Sequence, residues 1–364
     1  MDKKNNKNVI VTGGAGFIGS HLCESLVKNG FNVLCIDNFS SGDESYITHL
    51  LQLPNFQLIN HDLTNEINLN EYREAKKFDI EFLGVSQIYH LACPTSPGDY
   101  DKFAMSTLFA NSHATKNVLD IAVEYNSKVL FSSSSVVYGS PNNEMTFVKE
   151  EDLGIVDNLN EKACYNEGKR FSESICYYYS KYKGVDVKIA RLFSIYGPRM
   201  KIKNGRLIAD LLNSAMDNKP LTLDCRKEDI KSYCYINDLI EALYLIMENG
   251  SFGPYNIGNP SPVKMIEVLK TIRDITLSDF KCTFTEKKHS IKPLPDLSRV
   301  KKEFGWFPLT PIEKGFKETI AFTKANRNNL NISSINYKEG VDEEMQEEET
   351  NKSSNNLFKS IFGN

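Results

Sequence analysis

Along the first half of the chain, short apolar runs alternate with longer stretches whose apolar positions recur at helical spacing. The runs are Val9–Val11, Phe31–Ile36, Gln57–Ile59, Gln87–Leu91, Lys128–Ser132 and Val185–Arg191, each of strand length. After the first of them Phe17, Ile18, Leu22 and Leu26 mark one face of a helix. Strand, helix and strand in repetition predict an α/β fold, a Rossmann-type doubly wound parallel sheet covered on both faces. From about Tyr196 the pattern loosens, and Gly197-Pro198, Gly205, Pro220, Gly253-Pro254, Gly258 and Pro260 punctuate shorter elements. This half is expected to form a smaller α/β C-terminal lobe. Asn237–Asn249 reads as an amphipathic helix able to pack back on the larger domain, and 311–327, with Ile312, Phe316, Ile320 and Phe322, as a last helix. The expected organisation is a first domain over 1–195, joined by parts of 230–260, a smaller lobe over 196–327 and a tail over 328–364. The tail is rich in Asn, Ser, Glu and Lys, cannot bury enough surface to fold alone and is expected to be disordered.

Composition narrows the classes. A hydrophobic share of 41% and a charged share of 25% suit a globular domain. No apolar run is long enough to span a bilayer, and no apolar segment follows the basic start MDKKNNKN, so no secretion signal is expected. The eight cysteines include no C-x-x-C pair, which argues against zinc and against a disulfide framework and suits reduced thiols in the cytoplasm. The six histidines show no ligand spacing, so no metal is expected. The net charge of −4 is concentrated in 338–350, where acidic residues outnumber a single lysine. The body is left nearly neutral, without a basic face for nucleic acid.

The candidate chemistry begins at VIVTGGAGFIGS. Gly14, Gly16 and Gly19 stand in G-x-G-x-x-G spacing between a strand and a helix, the context a dinucleotide fingerprint requires. The glycines allow a tight turn, close approach of backbone to a pyrophosphate and close packing of helix on strand. Gly16, Phe17, Ile18 and Gly19 open the helix and offer its unpaired N–H groups to the anion. Asp37, about twenty positions on, ends the second strand where a ribose 2′-hydroxyl needs an acceptor, and its charge repels a 2′-phosphate, which favours NAD over NADP. Other strand ends carry His61-Asp62, Ala92-Cys93-Pro94 and Ser132–Ser135. Asp62 suits either a turn cap or an acceptor for the adenine amino group.

Tyr165 and Lys169 are four apart in CYNEGKRFSESICYYYSKY, so a helix projects both from one face. An ammonium beside a phenol, with a positive nicotinamide near, favours the phenolate. Such a tyrosine can take the proton of a sugar hydroxyl while hydride leaves the same carbon. Ser134, at the end of the fifth strand, can hold the reacting oxygen, although chemistry alone does not separate it from Ser133 and Ser135. Cys93 and Cys164 flank these residues without a histidine signal and read as packing thiols.

With TGGAGFIGS, YNEGK and RLFSIYGPR in place, the chain resembles the extended short-chain dehydrogenase/reductases, the NAD-dependent nucleotide-sugar epimerases, dehydratases and decarboxylases, from about Asn8 to Phe322. HLACPTSPGDY, CYNEGKR, YGPRM with the later GRLI, and GPYNIGNP look most like the UDP-glucuronate decarboxylase branch. The resemblance implies that Gly13, Gly16, Gly19 and Asp37 hold NAD. It makes Tyr165 the base, Lys169 its partner and Ser134 the Ser/Thr of the site, and it puts Arg206 and Tyr235 in the nucleotide-binding region. Relatives pair through two helices from each subunit, and Tyr177, Tyr178, Tyr179 and Tyr182 suit such a homodimer face.

Three positions depart from the decarboxylase pattern: Val136 replaces a Glu, Lys231 an Arg and Ser194 an Asn. Lysine supplies a point charge where arginine would grip a carboxylate through two bonds, although Lys231 can still pair with a uronic acid. A β-keto acid loses CO2 with little help, so the missing Glu weakens decarboxylation without forbidding it. Dehydration lacks the Asp-Glu pair it needs, since Ser135 and Val136 stand there. The expected function is decarboxylation of UDP-glucuronate to UDP-xylose through C4 oxidation. 4-Epimerisation is the alternative, and a nucleotide-binding scaffold without turnover a further one that the intact Tyr165, Lys169 and Ser134 oppose.

Overall fold

The computed structural model describes residues 7–100, 102–139, 147–201, 205–285 and 293–326. The expected tail over 328–364 lies outside them. The described residues up to Ile320 form one compact unit, and 321–326 are helical.

A seven-stranded sheet runs through the first unit. Its strands are β1 (Asn8–Thr12), β2 (Asn32–Asp37), β3 (Phe56–Asn60), β4 (Gln87–His90), β5 (Lys128–Ser134), β6 (Asp186–Leu192) and β7 (Gly253–Ile257). Their order is β3-β2-β1-β4-β5-β6-β7 and every pairing is parallel. The order reverses between β1 and β4, which opens a crevice beyond the carboxyl ends of these strands.

Alternation along the strands feeds two cores. Val9, Val11, Val33 and Cys35 point to one face, against Leu22 and Leu26 of α1 (Phe17–Lys28). Ile10, Leu34, Ile88 and Val129 point to the other, against Val118 and Ala122 of α2 (Thr115–Tyr125). Because both faces are covered, the strands read as continuous apolar runs rather than alternating ones. The long helix α3 (Ala163–Lys183) lies on the α2 side and sends Cys176 into that core. Beyond the sheet, α4 (Leu207–Asp217) buries Ile208, Leu211 and Leu212. The segment expected to pack back is α5 (Ile236–Asn249), and its Leu239, Leu243 and Ile246 are buried in the core shared with α1.

Strand β7 was hidden in the sequence behind Gly253-Pro254, which reads as loop punctuation. It pairs with β6, Pro254 opposite Ile189, at the end of the sheet. Proline is tolerated on an edge strand because its missing N–H faces no neighbour.

Candidate active site

The crevice is a cavity of about 1530 Å3 lined from both halves of the unit. One arm follows the glycine loop. Gly13 has φ +69°, and a Cβ there would meet the Ala92 backbone at 2.8 Å. A Cβ on Gly19 would come within 2.1 Å of the Gly13 carbonyl oxygen. Gly14 serves packing instead, its α-carbon against the Cys35 and Cys23 thiols, and it does not line the cavity. Helix α1 starts at Gly16 with no side-chain cap and no acid in its first turn. Its end is thus a cradle of backbone N–H groups suited to a phosphate. Phe17, Ile18 and Gly19 line it. Asp37 braces the loop, accepting the Ala15 N–H at 2.9 Å and the Phe39 N–H at 2.8 Å, while burial pushes its carboxyl up. Asp62 also lines the cavity and caps its own turn, accepting from the Thr64 N–H at 2.9 Å and hydroxyl at 2.8 Å. Against the cost of burial, these bonds and one from Asn38 hold its carboxyl below the usual range. These residues fit a dinucleotide.

The other arm opens on Tyr165, in the first turn of α3, and Lys169 one turn on. Lys169 is 3% exposed, donates to the Ser132 carbonyl at 2.9 Å, and lies 4.8 Å from the Phe131 ring centroid and 5.9 Å from that of Tyr165. Tyr165 stacks on Tyr100 at 5.6 Å. Burial pushes its phenol up to about 12, the Cys93 thiol adds to this, and a hydrogen bond with Ser134 and the charge of Arg206 oppose it. In the polypeptide alone the phenol is therefore raised, because burial outweighs the charges around it. Burial likewise lowers Lys169. The serines separate cleanly: Ser133 donates to Glu173 at 2.5 Å, whereas Ser134 meets Tyr165.

Of the residues expected near the nucleotide, Arg206 and Lys231 line the cavity. Arg206 donates to the Thr95 hydroxyl at 2.8 Å. Burial lowers Lys231, with Asp229 and Cys225 opposing. Tyr235 donates its hydroxyl to Glu318 at 2.5 Å and packs its ring on Tyr196 at 5.6 Å, and it is not among the residues that line the cavity. Tyr233 lines it instead. Lys231 and Tyr233 are two apart in an extended segment and so share a side, a signal the sequence carried. Tyr100 and Asn160 also line the cavity and had no such signal. Val136 and Ser194 both line it, so two of the three departures face the site along with Lys231. Among the described residues no three His, Cys, Asp or Glu side chains gather as metal ligands.

A nucleotide cradle at the switch point and a Tyr-Lys-Ser cluster at the end of the same sheet define a dinucleotide-dependent enzyme of the Rossmann class. Residues 9–258 match the model of the NAD dependent epimerase/dehydratase family, and the chain belongs to that family. NAD is its cofactor, and it is a nucleotide-sugar-modifying enzyme resembling UDP-glucuronic acid decarboxylases. It is 34% identical over 324 residues to UDP-glucuronic acid decarboxylase 1 of Xenopus tropicalis, covering 88% of this chain and 73% of the relative. With UDP-glucuronic acid decarboxylase 6 of Arabidopsis thaliana it shares 34% identity over 316 residues, 86% of this chain and 87% of the relative. In fold it resembles the UDP-glucuronic acid 4-epimerase of Bacillus cereus, solved with UDP-glucuronic acid and NAD, at a TM-score of 0.76 and 24% identity over 87% of this chain and 99% of that one.

Proposed function

We propose that Tyr165, Ser134 and Lys169 oxidise C4 of a UDP-sugar and that the sugar is glucuronate, decarboxylated to give UDP-xylose. The carrying observation is that Tyr165, Lys169 and Ser134 line the same cavity as the glycine cradle. NAD, when bound, supplies the acceptor for the C4 hydride and returns it at the end of the cycle. Tyr165 takes the C4 hydroxyl proton as its base, Ser134 holds that oxygen, and Lys169, fixed on the Ser132 carbonyl, keeps a positive charge beneath the phenol. Arg206 and Lys231 offer cations to the substrate's anionic groups. A ketone at C4 of a uronic acid lies β to the carboxylate, so CO2 leaves into the C4–C5 enolate. The enolate takes a proton at C5 from water to give the 4-keto pentose, and Tyr165 then returns a proton to the C4 oxygen as that ketone is reduced.

Val136 favours a second reading. With an apolar side chain on the cavity wall and no acid there, the carboxylate can survive while the keto-sugar turns over, which gives 4-epimerisation. Purified protein fed UDP-glucuronate should release CO2 and form a UDP-pentose, as read by mass spectrometry. UDP-galacturonate without CO2 would select the epimerase instead, and unchanged substrate would remove both.

A homodimer is part of the proposal. Helix Ala104–Phe109 exposes Met105, Leu108 and Phe109, and the neighbouring α3 exposes Phe171, Tyr178 and Tyr182. Phe171, Ile175, Tyr178 and Tyr182 follow helical spacing, so they form one stripe suited to the same stripe on a second copy. Light scattering should give a dimer mass for the parent and a monomer mass for Phe171→Asp/Tyr178→Asp; a monomeric parent would end the proposal. All eight cysteines are thiols, which suits a cytoplasmic location.

A further inference from the structure

Behind the reacting groups lies a buried ion pair that the chemistry above does not use. Glu173 stands one helical turn beyond Lys169 and two beyond Tyr165, so the three side chains follow one another along α3. Its carboxylate receives Arg191 of β6 through Nε at 3.0 Å and Nη2 at 2.7 Å, and the Ser133 hydroxyl at 2.5 Å. Arg191 passes Nη1 to the Tyr138 hydroxyl at 2.8 Å and to the Glu150 carbonyl at 3.0 Å. Tyr138 in turn donates to Oδ1 of Asn256 on β7 at 2.7 Å. The Glu173 and Arg191 side chains are only 15% and 12% exposed. One polar chain therefore ties β7, β6, β5 and α3 together directly behind Ser134.

We propose that Glu173 is a positioning residue for the reaction: clamped by Arg191, it captures Ser133 and so fixes the register between β5 and α3 that brings Ser134 to Tyr165. The inference rests on Tyr165 being the base. Three consecutive serines end β5, and their hydroxyls are chemically alike. What distinguishes them is the partner each meets: the Ser132 carbonyl takes Lys169, the Ser133 hydroxyl donates to Glu173, and the Ser134 hydroxyl, which accepts the Val136 N–H at 3.4 Å, lines the cavity with Tyr165. The two-bond fork from Arg191 allows the carboxylate one orientation, which a single point contact would not.

Glu173 has a second effect on the site, because its negative charge supports the cation on Lys169. The other groups facing Lys169 are Tyr165 and Cys176 on its own helix, the Phe131 ring on β5, His90 on β4 and Cys93 after β4. His90 is held down to about 3 by burial and stays neutral, and Cys176 is a thiol pushed up by burial. Glu173 is thus the carboxylate among them, and its loss should let Lys169 release its proton at lower pH.

The test uses the full-length protein with NAD bound and UDP-glucuronate and UDP-galacturonate as substrates. Glu173→Gln should lower kcat at least ten-fold with KM within about two-fold, and move the alkaline limb of the kcat profile to lower pH. Ser133→Ala should lower kcat without moving that limb. A folded Glu173→Gln with the parent's kcat, or with a lower kcat and an unmoved limb, overturns the proposal. Should Glu173→Gln fail to fold, Ser133→Ala decides, and parental kcat there overturns it. If the parent turns over neither substrate, the assigned activity has failed, and crystal structures of the parent and Ser133→Ala decide the positioning claim. A displaced Tyr165 and Ser134 support it, and superposable ones overturn it.

Discussion

Tyr165→Phe should lower kcat about a thousand-fold, the range expected when a positioned proton acceptor is removed, while NAD stays bound. Phenylalanine keeps the ring that stacks on Tyr100 and packs beside Lys169, so only the hydroxyl and its bond to Ser134 disappear. Burial raises the phenol in the polypeptide alone, against the pull of Ser134 and Arg206, and the positive nicotinamide ring opposes burial once NAD is bound. The phenolate is the form that accepts the proton, so the parent's rate should climb with pH as the phenol ionises. Burial also lowers Lys169, so the rate should fall again where that ammonium loses its proton. The phenylalanine variant has no phenol to titrate and should lose the rising limb. Steady-state rates across pH, with NAD content measured after gel filtration, check both halves. A variant with the parent's rate and its rising limb would take the base away from Tyr165.

How far the site could be read before the coordinates depended on the range of the interactions involved. The glycine loop and the Tyr165-Lys169 pair are local, set by a turn or by a single helical step, and both stand where their spacing put them. The family resemblance singled out Ser134, but side-chain chemistry alone did not separate it from Ser133, because the partner of Ser133 is Glu173, forty residues away. The partner of Tyr235 was hidden for the same reason: the acceptor of its hydroxyl, Glu318, lies 83 positions downstream. The weight of burial on Tyr165 was also not legible, because a motif shows charges but not burial. Strand β7 was missed because Gly253 and Pro254 carry loop chemistry, and only pairing with β6 makes an edge strand of them.

Gly19→Ala should both destabilise the protein and remove its cofactor. The new Cβ would stand 2.1 Å from the Gly13 oxygen, 2.7 Å from the Gly14 α-carbon and 2.8 Å from the Gly13 carbonyl carbon. All three are backbone atoms, so no side-chain tip can swing aside, and α1 has to move off the loop. Overpacking of this kind costs about 2–3 kcal/mol, which lowers Tm by a few degrees, on the order of 3–5 °C. The same displacement pulls the N–H groups of Phe17 and Ile18 away from the phosphate, and the loss of two or more good contacts weakens NAD binding on the order of a hundred-fold. Gly184→Ala is the matched control. Gly184 ends α3 with φ +70° and nothing stands within 4 Å of its Cβ position, so the cost is left-handed strain alone, about 1 kcal/mol. It should lower Tm slightly and leave NAD affinity at the parent's value. Calorimetric titration of NAD into apoprotein separates the two variants. Equal affinities would mean that the glycine loop is a packing device and that the dinucleotide is held elsewhere in the cavity.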